Sequence, residues 1–185
     1  MITIISPDEI PQNSDEWLNL RSKFVTATNA YSLLKGKSIH EILDSKKNPQ
    51  PSVWNYWADR GHRLEPDAKE IYSAIYQPTR DVGFVINDKF PFVGASPDGL
   101  VGEDGLVEVK SFAEKHHLAV MKKVDAQIVA QIQYQLWVTE RKWNDFIAYN
   151  PDIEDIDKTF FVKRFYPDLE MHQKFETFFK TQLIT

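Results

Sequence analysis

Asp98, Glu108 and Lys110 stand in the stretch GASPDGLVGEDGLVEVKS, from Gly94 to Ser111, with nine residues between the two acids and one between Glu108 and Lys110. Residues Leu106 to Lys110 (LVEVK) have the composition of a short strand. Alternate side chains of a strand share a face, so Glu108 and Lys110 are expected on one side and Val107 and Val109 on the other. The turn-rich GEDG at Gly102 to Gly105 can fold Asp98 back beside Glu108 as in a hairpin. Two carboxylates and an ammonium on one small surface suit hydrolysis assisted by a hard divalent cation. The acids would hold Mg²⁺ (or Mn²⁺) through oxygen, and the lysine would orient or activate the attacking water. An Asp-Gly turn followed by an ordinary strand with a solvated Glu and Lys would leave the same trace.

Three further segments decide between these readings. Upstream lies Arg60-Gly-His-Arg-Leu-Glu65-Pro, downstream Ala130-Gln131-Ile-Gln133-Tyr134-Gln-Leu-Trp137-Val-Thr139, and near the start Trp17-Leu-Asn-Leu-Arg21 followed by Val25-Thr26-Ala27-Thr28. With the PD-(D/E)xK signature intact as Pro97-Asp98 and Glu108-Val109-Lys110, the chain resembles the phage lambda exonuclease and YqaJ-like viral recombinase group, from about Trp17 to Tyr149. The resemblance implies an α/β (α+β) fold with a restriction-endonuclease-like core, a central mixed β-sheet flanked by helices. It also implies an Mg²⁺-dependent 5′→3′ exonuclease on double-stranded DNA ends that leaves a 3′ single strand for a phage-type annealing protein.

The resemblance also distributes roles. Asp98 and Glu108 become metal ligands, with the Val109 carbonyl as a third oxygen, and Glu65 faces the metal site directly or through water. A helix-surface Glu65 paired with a nearby Arg is the plainer alternative. Lys110 beside two carboxylates keeps its proton, which favours positioning and charge stabilisation over proton abstraction. Gln131 lies one helical turn before Tyr134 and Gln135, so the three are expected to share a face. Its amide can orient the lysine and the water, while Tyr134 is as well suited to the core. Arg21, Thr28 and Ser96 fall where this group binds a terminal 5′-phosphate; a helix cap at Thr28 and a surface ion pair at Arg21 are the alternatives. His62, His116 and His117 lack zinc spacing and are expected at the surface or facing DNA. The chain is shorter than the lambda enzyme and carries Tyr56 where that enzyme has a lysine, so phosphate capture can be rearranged and the family's ring-shaped trimer is not assured.

Composition sets outer limits. At 185 residues the chain suits one domain, residues 1–185, with a sizeable core. It has no cysteine, which excludes disulfides, thiol catalysis and cysteine-held zinc or iron–sulfur clusters. There is no apolar run of about 18 residues and no signal-peptide pattern, so a cytoplasmic protein of a bacterium or phage-infected cell is expected. The net charge of −5 argues mildly against nucleic-acid binding. Metal-binding acids add negative charge of their own, however, and basic residues cluster at Lys35 and Lys37, Lys46 and Lys47, Arg60 to Arg63, Lys115 to His117, and Lys122 and Lys123.

The elements that must position these groups follow from periodicity. Ser14 can cap a helix carrying Trp17, Leu20 and Phe24, and Thr28 a second one ending at Gly36. Ser45 to Pro51 reads as a loop. Ser52 to Tyr76 is helical in pattern, interrupted at Gly61 and Pro66. Strands are expected at Arg80 to Ile86, Phe90 to Ala95, Leu106 to Lys110, Trp143 to Tyr149 and Thr159 to Phe165. Helices are expected at Glu114 to Lys123, Ala126 to Val138 and Asp168 to Leu183, the last with Leu169, His172, Phe175, Phe178 and Phe179 inward. Two rival functions remain: a sequence-specific endonuclease with the same metal site, and a DNA-end-binding protein whose site is vestigial.

Overall fold

The structure is a computed structural model that describes residues 1–47 and 56–182. A short strand, β1 (Ile2–Ile5), precedes helix α1 (Asp15–Ser22), whose start is fixed by the Ser14 hydroxyl accepting from Trp17 N at 3.1 Å. A 3-10 turn (Ala27–Asn29) leads into α2 (Ala30–Leu34) and then α3 (Ile39–Lys47). Helix α4 (Tyr56–Ile75) is followed by β2 (Thr79–Arg80), β3 (Phe84–Asn87), β4 (Gly94–Ala95), β5 (Gly99–Val101) and β6 (Gly105–Lys110). Helices α5 (Glu114–Lys122) and α6 (Ala126–Thr139) cross to β7 (Trp143–Tyr149), and β8 (Phe160–Phe165) and α7 (Leu169–Gln182) complete the described chain.

Five strands form the main sheet in the order β2-β5-β6-β7-β8, and β1, β3 and β4 form a smaller one. Only the β6–β7 pair of the main sheet is parallel, as a crossover through two helices requires. Alternation along β6 then divides the core. Leu106 joins Leu100, Phe146 and Ala148 against α6, where Tyr134 and Trp137 meet Phe175 and Phe179 of α7. Val107 and Val109 join Val101 and Ile147 against Ala68 and Tyr72 of α4. Glu108 and Lys110 therefore leave β6 on the α6 side.

The expected mixed sheet flanked by helices is present. Ser45 to Lys47, expected in a loop, complete α3, and the rest of that loop together with Ser52 to Trp54 lies outside the described residues. Helix α4 runs unbroken through Gly61 and Pro66. Pro66 withholds one bond from the His62 carbonyl, but His62 is exposed and water can supply the partner. The helix cap expected at Thr28 falls to Thr26, which forms a capping box with Asn29. Leu169, expected inward, is 77% exposed because it opens α7 beyond the edge of the core. His117, expected at the surface, is buried beside Val120 on the inner face of α5, with Nε2 2.8 Å from the Lys158 carbonyl oxygen.

Two positions lock the hairpin that carries the acids. At Gly105 a Cβ would lie 2.2 Å from the Trp143 ring, so only glycine admits this close approach. Arg141, just after the left-handed Glu140 that ends α6, donates to the carbonyls of Gly102 at 3.0 Å and Gly105 at 2.7 Å. Below the opposite face, buried Asp145 accepts from Tyr72 Oη at 2.6 Å and from the Arg164 guanidinium twice at 2.8 Å, while that guanidinium lies 3.7 Å from the Trp143 ring centroid. Replacing Asp145 with Ala strands the buried Tyr72 hydroxyl, while the partly exposed guanidinium can turn to water. It is expected to cost about 2 kcal/mol, read as a lower urea midpoint at unchanged m-value.

Candidate active site

Glu108 is the most enclosed charged group of the site, only 1% exposed. Its Oε1 accepts from Lys110 Nζ and Gln131 Nε2, and its Oε2 accepts from Gln135 Nε2 at 2.6 Å. The Gln135 amide is in turn oriented by Asn144 Nδ2, which donates to its Oε1 at 2.8 Å. A buried carboxylate survives only with such compensation. Gln131 and Gln135 lie one helical turn apart and both reach Glu108. Tyr134, on the same helix, turns away: its hydroxyl donates to the Val25 carbonyl at 3.0 Å and its ring packs on Phe175 and Trp137. Tyr134 is a core residue, and burial pushes its phenol pKa up.

Asp98 reaches the same place from the other arm of the hairpin. Its Oδ2 accepts from Val109 N at 2.7 Å, which fixes the register of the two acids. Burial, with the Glu108 charge next in weight, raises its carboxyl well above the ordinary value of 3.8. Burial works against the Lys110 ammonium, yet Glu108 and Asp98 hold its pKa above the ordinary value. Lys110 is therefore a cation at neutral pH and not a resident base.

Glu65 faces Asp98 and Lys110 from α4, but its Oε1 accepts from Lys69 Nζ at 2.9 Å. The same ammonium donates to Asp81 Oδ1 at 2.9 Å and to the Asp98 carbonyl at 3.1 Å. Lys69 thus ties the three acidic segments together, and its i,i+4 spacing from Glu65 was the sequence signal for it. Gln12 donates to the Val82 carbonyl at 2.8 Å and to the Pro97 carbonyl at 3.0 Å, which steadies the approach to Asp98. No periodicity or motif marks Gln12 in the sequence.

The three residues expected to bind phosphate adjoin this centre. Arg21 donates to Thr28 Oγ1 at 3.0 Å, and its guanidinium lies 4.7 Å from the Trp17 ring centroid. Trp17 Nε1 donates to the Gly83 carbonyl at 3.0 Å and to Ser96 Oγ at 3.1 Å, and the Ser96 hydroxyl donates to Gly83 at 2.7 Å. Ser96 thus anchors the ring on which Arg21 rests. Among the described residues Arg21 forms no ion pair; burial lowers its pKa, and the fields of Glu108 and Asp98 work against that.

One cavity of about 300 Å³ gathers the acids, the lysine and the groups expected to bind phosphate. Asp98, Glu108, Val109, Lys110, Gln131 and Glu65 line it together with Arg21, Thr28 and Ser96. His62 and Trp57 also line it, whereas His116 pairs with Asp125 at 2.7 Å. Among the described residues, no three His, Cys, Asp or Glu side chains form a closed metal cage. The donor set still fits a hard cation of the Mg²⁺ type, which binds through one or two carboxylates and takes its other oxygens from water, backbone or substrate phosphate. Burial first, and the Glu108 charge after it, raise the Asp98 carboxyl, and a cation bound there would offset both.

This sheet and its acid-lined cavity define an exonuclease-type fold. The crystal structure of an alkaline exonuclease (LHK-Exo) from Laribacter hongkongensis is similar at a TM-score of 0.79 and 28% identity, covering 92% of this chain and 91% of that one. LHK-Exo in complex with dAMP is similar at a TM-score of 0.81 and 27% identity over the same shares. A phage-related exonuclease from Haemophilus somnus 129PT shares the fold at a TM-score of 0.58 and 13% identity, covering 89% of this chain and 94% of that one. No curated protein sequence matches the chain. The YqaJ-like viral recombinase domain matches residues 16–142, and the chain belongs to that family.

A carboxyl whose folded pKa is raised binds more protons in the native than in the unfolded state. Stability in EDTA is therefore expected to fall as pH rises above about 4, the ordinary aspartate range. Asp98→Asn, which still accepts from Val109 N, should raise the melting temperature at neutral pH and flatten that slope. A variant with the wild-type slope would show that Asp98 is not the strained group.

Proposed function

We propose that the chain is an Mg²⁺-dependent exonuclease that degrades one strand of duplex DNA from its 5′ end, leaving a 3′ single strand for an annealing protein. The supporting observation is the union in one cavity of an acid pair with its lysine and an arginine that rests on Thr28 and, among the described residues, on no carboxylate. The family and the similarity to alkaline exonucleases support a nuclease reading. A bound Mg²⁺ would supply Lewis-acid polarisation of the phosphate and a lowered pKa for a coordinated water. Asp98 and Glu108 would hold it, with the Val109 carbonyl and Glu65 as further oxygen donors.

The chain's own groups then divide the work. Lys110 keeps its proton and lies on the cavity wall, where it can donate to a non-bridging oxygen as negative charge develops there. Gln131 holds Glu108 and orients the attacking water. Arg21 can fork onto a terminal 5′-phosphate beside the Thr28 hydroxyl, so that the next phosphodiester reaches the acids in register. Register from a terminal phosphate is what makes cleavage proceed from an end.

Lys110→Ala is expected to slow cleavage of linear duplex about a hundred- to a thousandfold, the usual loss for one transition-state donor. Its melting temperature should stay near wild type. A folded variant with near-normal turnover would remove Lys110 from the mechanism, and robust cleavage in EDTA would remove the metal.

End recognition is tested separately. Losing a charge-assisted bidentate contact should slow Arg21→Ala roughly ten- to a hundredfold more on 5′-phosphoryl than on 5′-hydroxyl duplex. Equal slowing on both ends would reduce Arg21 to general backbone binding. Cleavage of closed circular duplex at a comparable rate would favour an endonuclease.

A further inference from the structure

Lys46 stands at the end of α3, where a lysine can extend into water, yet its side chain turns inward. Its ammonium donates to the Phe24 carbonyl at 2.6 Å, to Thr26 Oγ1 at 3.0 Å and to the Arg21 carbonyl at 3.3 Å. Three acceptors need three N–H groups, which only the charged form supplies. All three are neutral oxygens. The bonds tie down the corner between α1 and the 3-10 turn, the segment that carries both Arg21 and Thr28. Thr26 Oγ1 continues the chain, 3.2 Å from Thr28 Oγ1, which accepts from the Arg21 guanidinium.

Two cations therefore lie at and behind one pocket, and among the described residues neither has a carboxylate salt bridge. Burial, and after it the Arg21 charge, pulls the Lys46 pKa down to about 7. The other charged groups near it are occupied or outward: Asp44 on its own helix is engaged by His40 at 2.9 Å and Lys47 at 3.2 Å, and Lys23 is exposed. An anion resting on Arg21 and Thr28 would relieve the repulsion, and a dianion would do so better than a monoanion.

Building on the end-recognition reading above, we propose that Lys46 is a positioning residue that sets the specificity of this pocket for a phosphate monoester dianion, a terminal 5′-phosphate, over an internal phosphodiester monoanion. It acts through the Thr26–Thr28 hydroxyl chain and through its charge, without touching the phosphate. Binding of the dianion favours protonated Lys46, so the preference weakens as pH rises and the free protein gives up that proton.

The test compares wild type, Lys46→Met and Lys46→Arg on 5′-phosphoryl and 5′-hydroxyl blunt duplex with Mg²⁺, from about pH 6.5 to about pH 9, the range spanning the lysine's titration. The readout is the ratio of kcat/KM for the two ends. Wild type should show a ratio that falls about tenfold across the range, Lys46→Met a ratio about tenfold lower and flat, and Lys46→Arg a high, flat ratio. In unaltered protein, nuclear magnetic resonance of the Lys46 side chain should show its pKa rising when a 5′-phosphoryl duplex is added with Ca²⁺, and less with the 5′-hydroxyl duplex. A Lys46→Met ratio equal to wild type at every pH overturns the proposal, as does equal slowing on both ends or a pKa that ignores the phosphate. A wild type that does not distinguish the ends overturns end recognition and this proposal together.

Discussion

The rest of the site depends on housing one carboxylate in the protein interior. Glu108 lies on the central strand β6, on the face that packs against α6, where an isolated charge would cost several kcal/mol. Three donors from two elements make it tolerable: Lys110 from the same strand, and Gln131 and Gln135 from one face of α6. That requirement fixes the rotation of α6 over the sheet. Turning the two amides toward Glu108 turns Tyr134 and Trp137 toward α7, so the polar centre and the aromatic core are two faces of one helix. Asn144 on the neighbouring strand completes the constraint by orienting the Gln135 amide.

The positive groups sort by what they face. Lys110 and Lys69 sit among carboxylates, and both are held charged despite burial. Arg21 and Lys46 sit against backbone carbonyls, hydroxyls and an aromatic ring, and burial works against their charges. Asp98, Glu108 and Glu65 thus share one cavity with Arg21, the arrangement that the proposed binding of a cation and of a terminal phosphate would require. A net charge of −5 conceals this polarity, because affinity for a phosphate chain follows local potential and not the sum over the surface.

The acid–lysine strand was legible because a period of two places Glu108 and Lys110 together whatever the rest of the fold does. The long helices α4 and α6 were legible for the same reason, with a period of 3.6. What escaped was decided at longer range. Strands β1 and β5 have four and three residues, too few for a periodic signal, and exist by pairing with β3 and β6. Thr26 takes the cap expected of Thr28 because Asn29 answers it, each side chain bonding the other residue's backbone N–H, a reciprocity that neither residue announces alone. Lys46 reads in sequence as half of a basic pair in an expected loop; the packing of α3 against α1 turns it inward.

Ser96 shows how position and role come apart. Its place one residue before Pro97 puts it on the cavity wall. Its hydroxyl proton is already given to Gly83, and its oxygen receives the Trp17 indole. A phosphate arriving at Arg21 would therefore meet a guanidinium stacked on a ring that Ser96 holds. The free hydrogen-bonding capacity on that side belongs to Arg21 itself, which spends one N–H on Thr28. A guanidinium carries five donors, so the fork needed for a terminal phosphate survives this use. On the proposed reading, anion recognition would rest on one arginine held in place from below by Trp17 and Ser96, and from the side by the corner that Lys46 ties down.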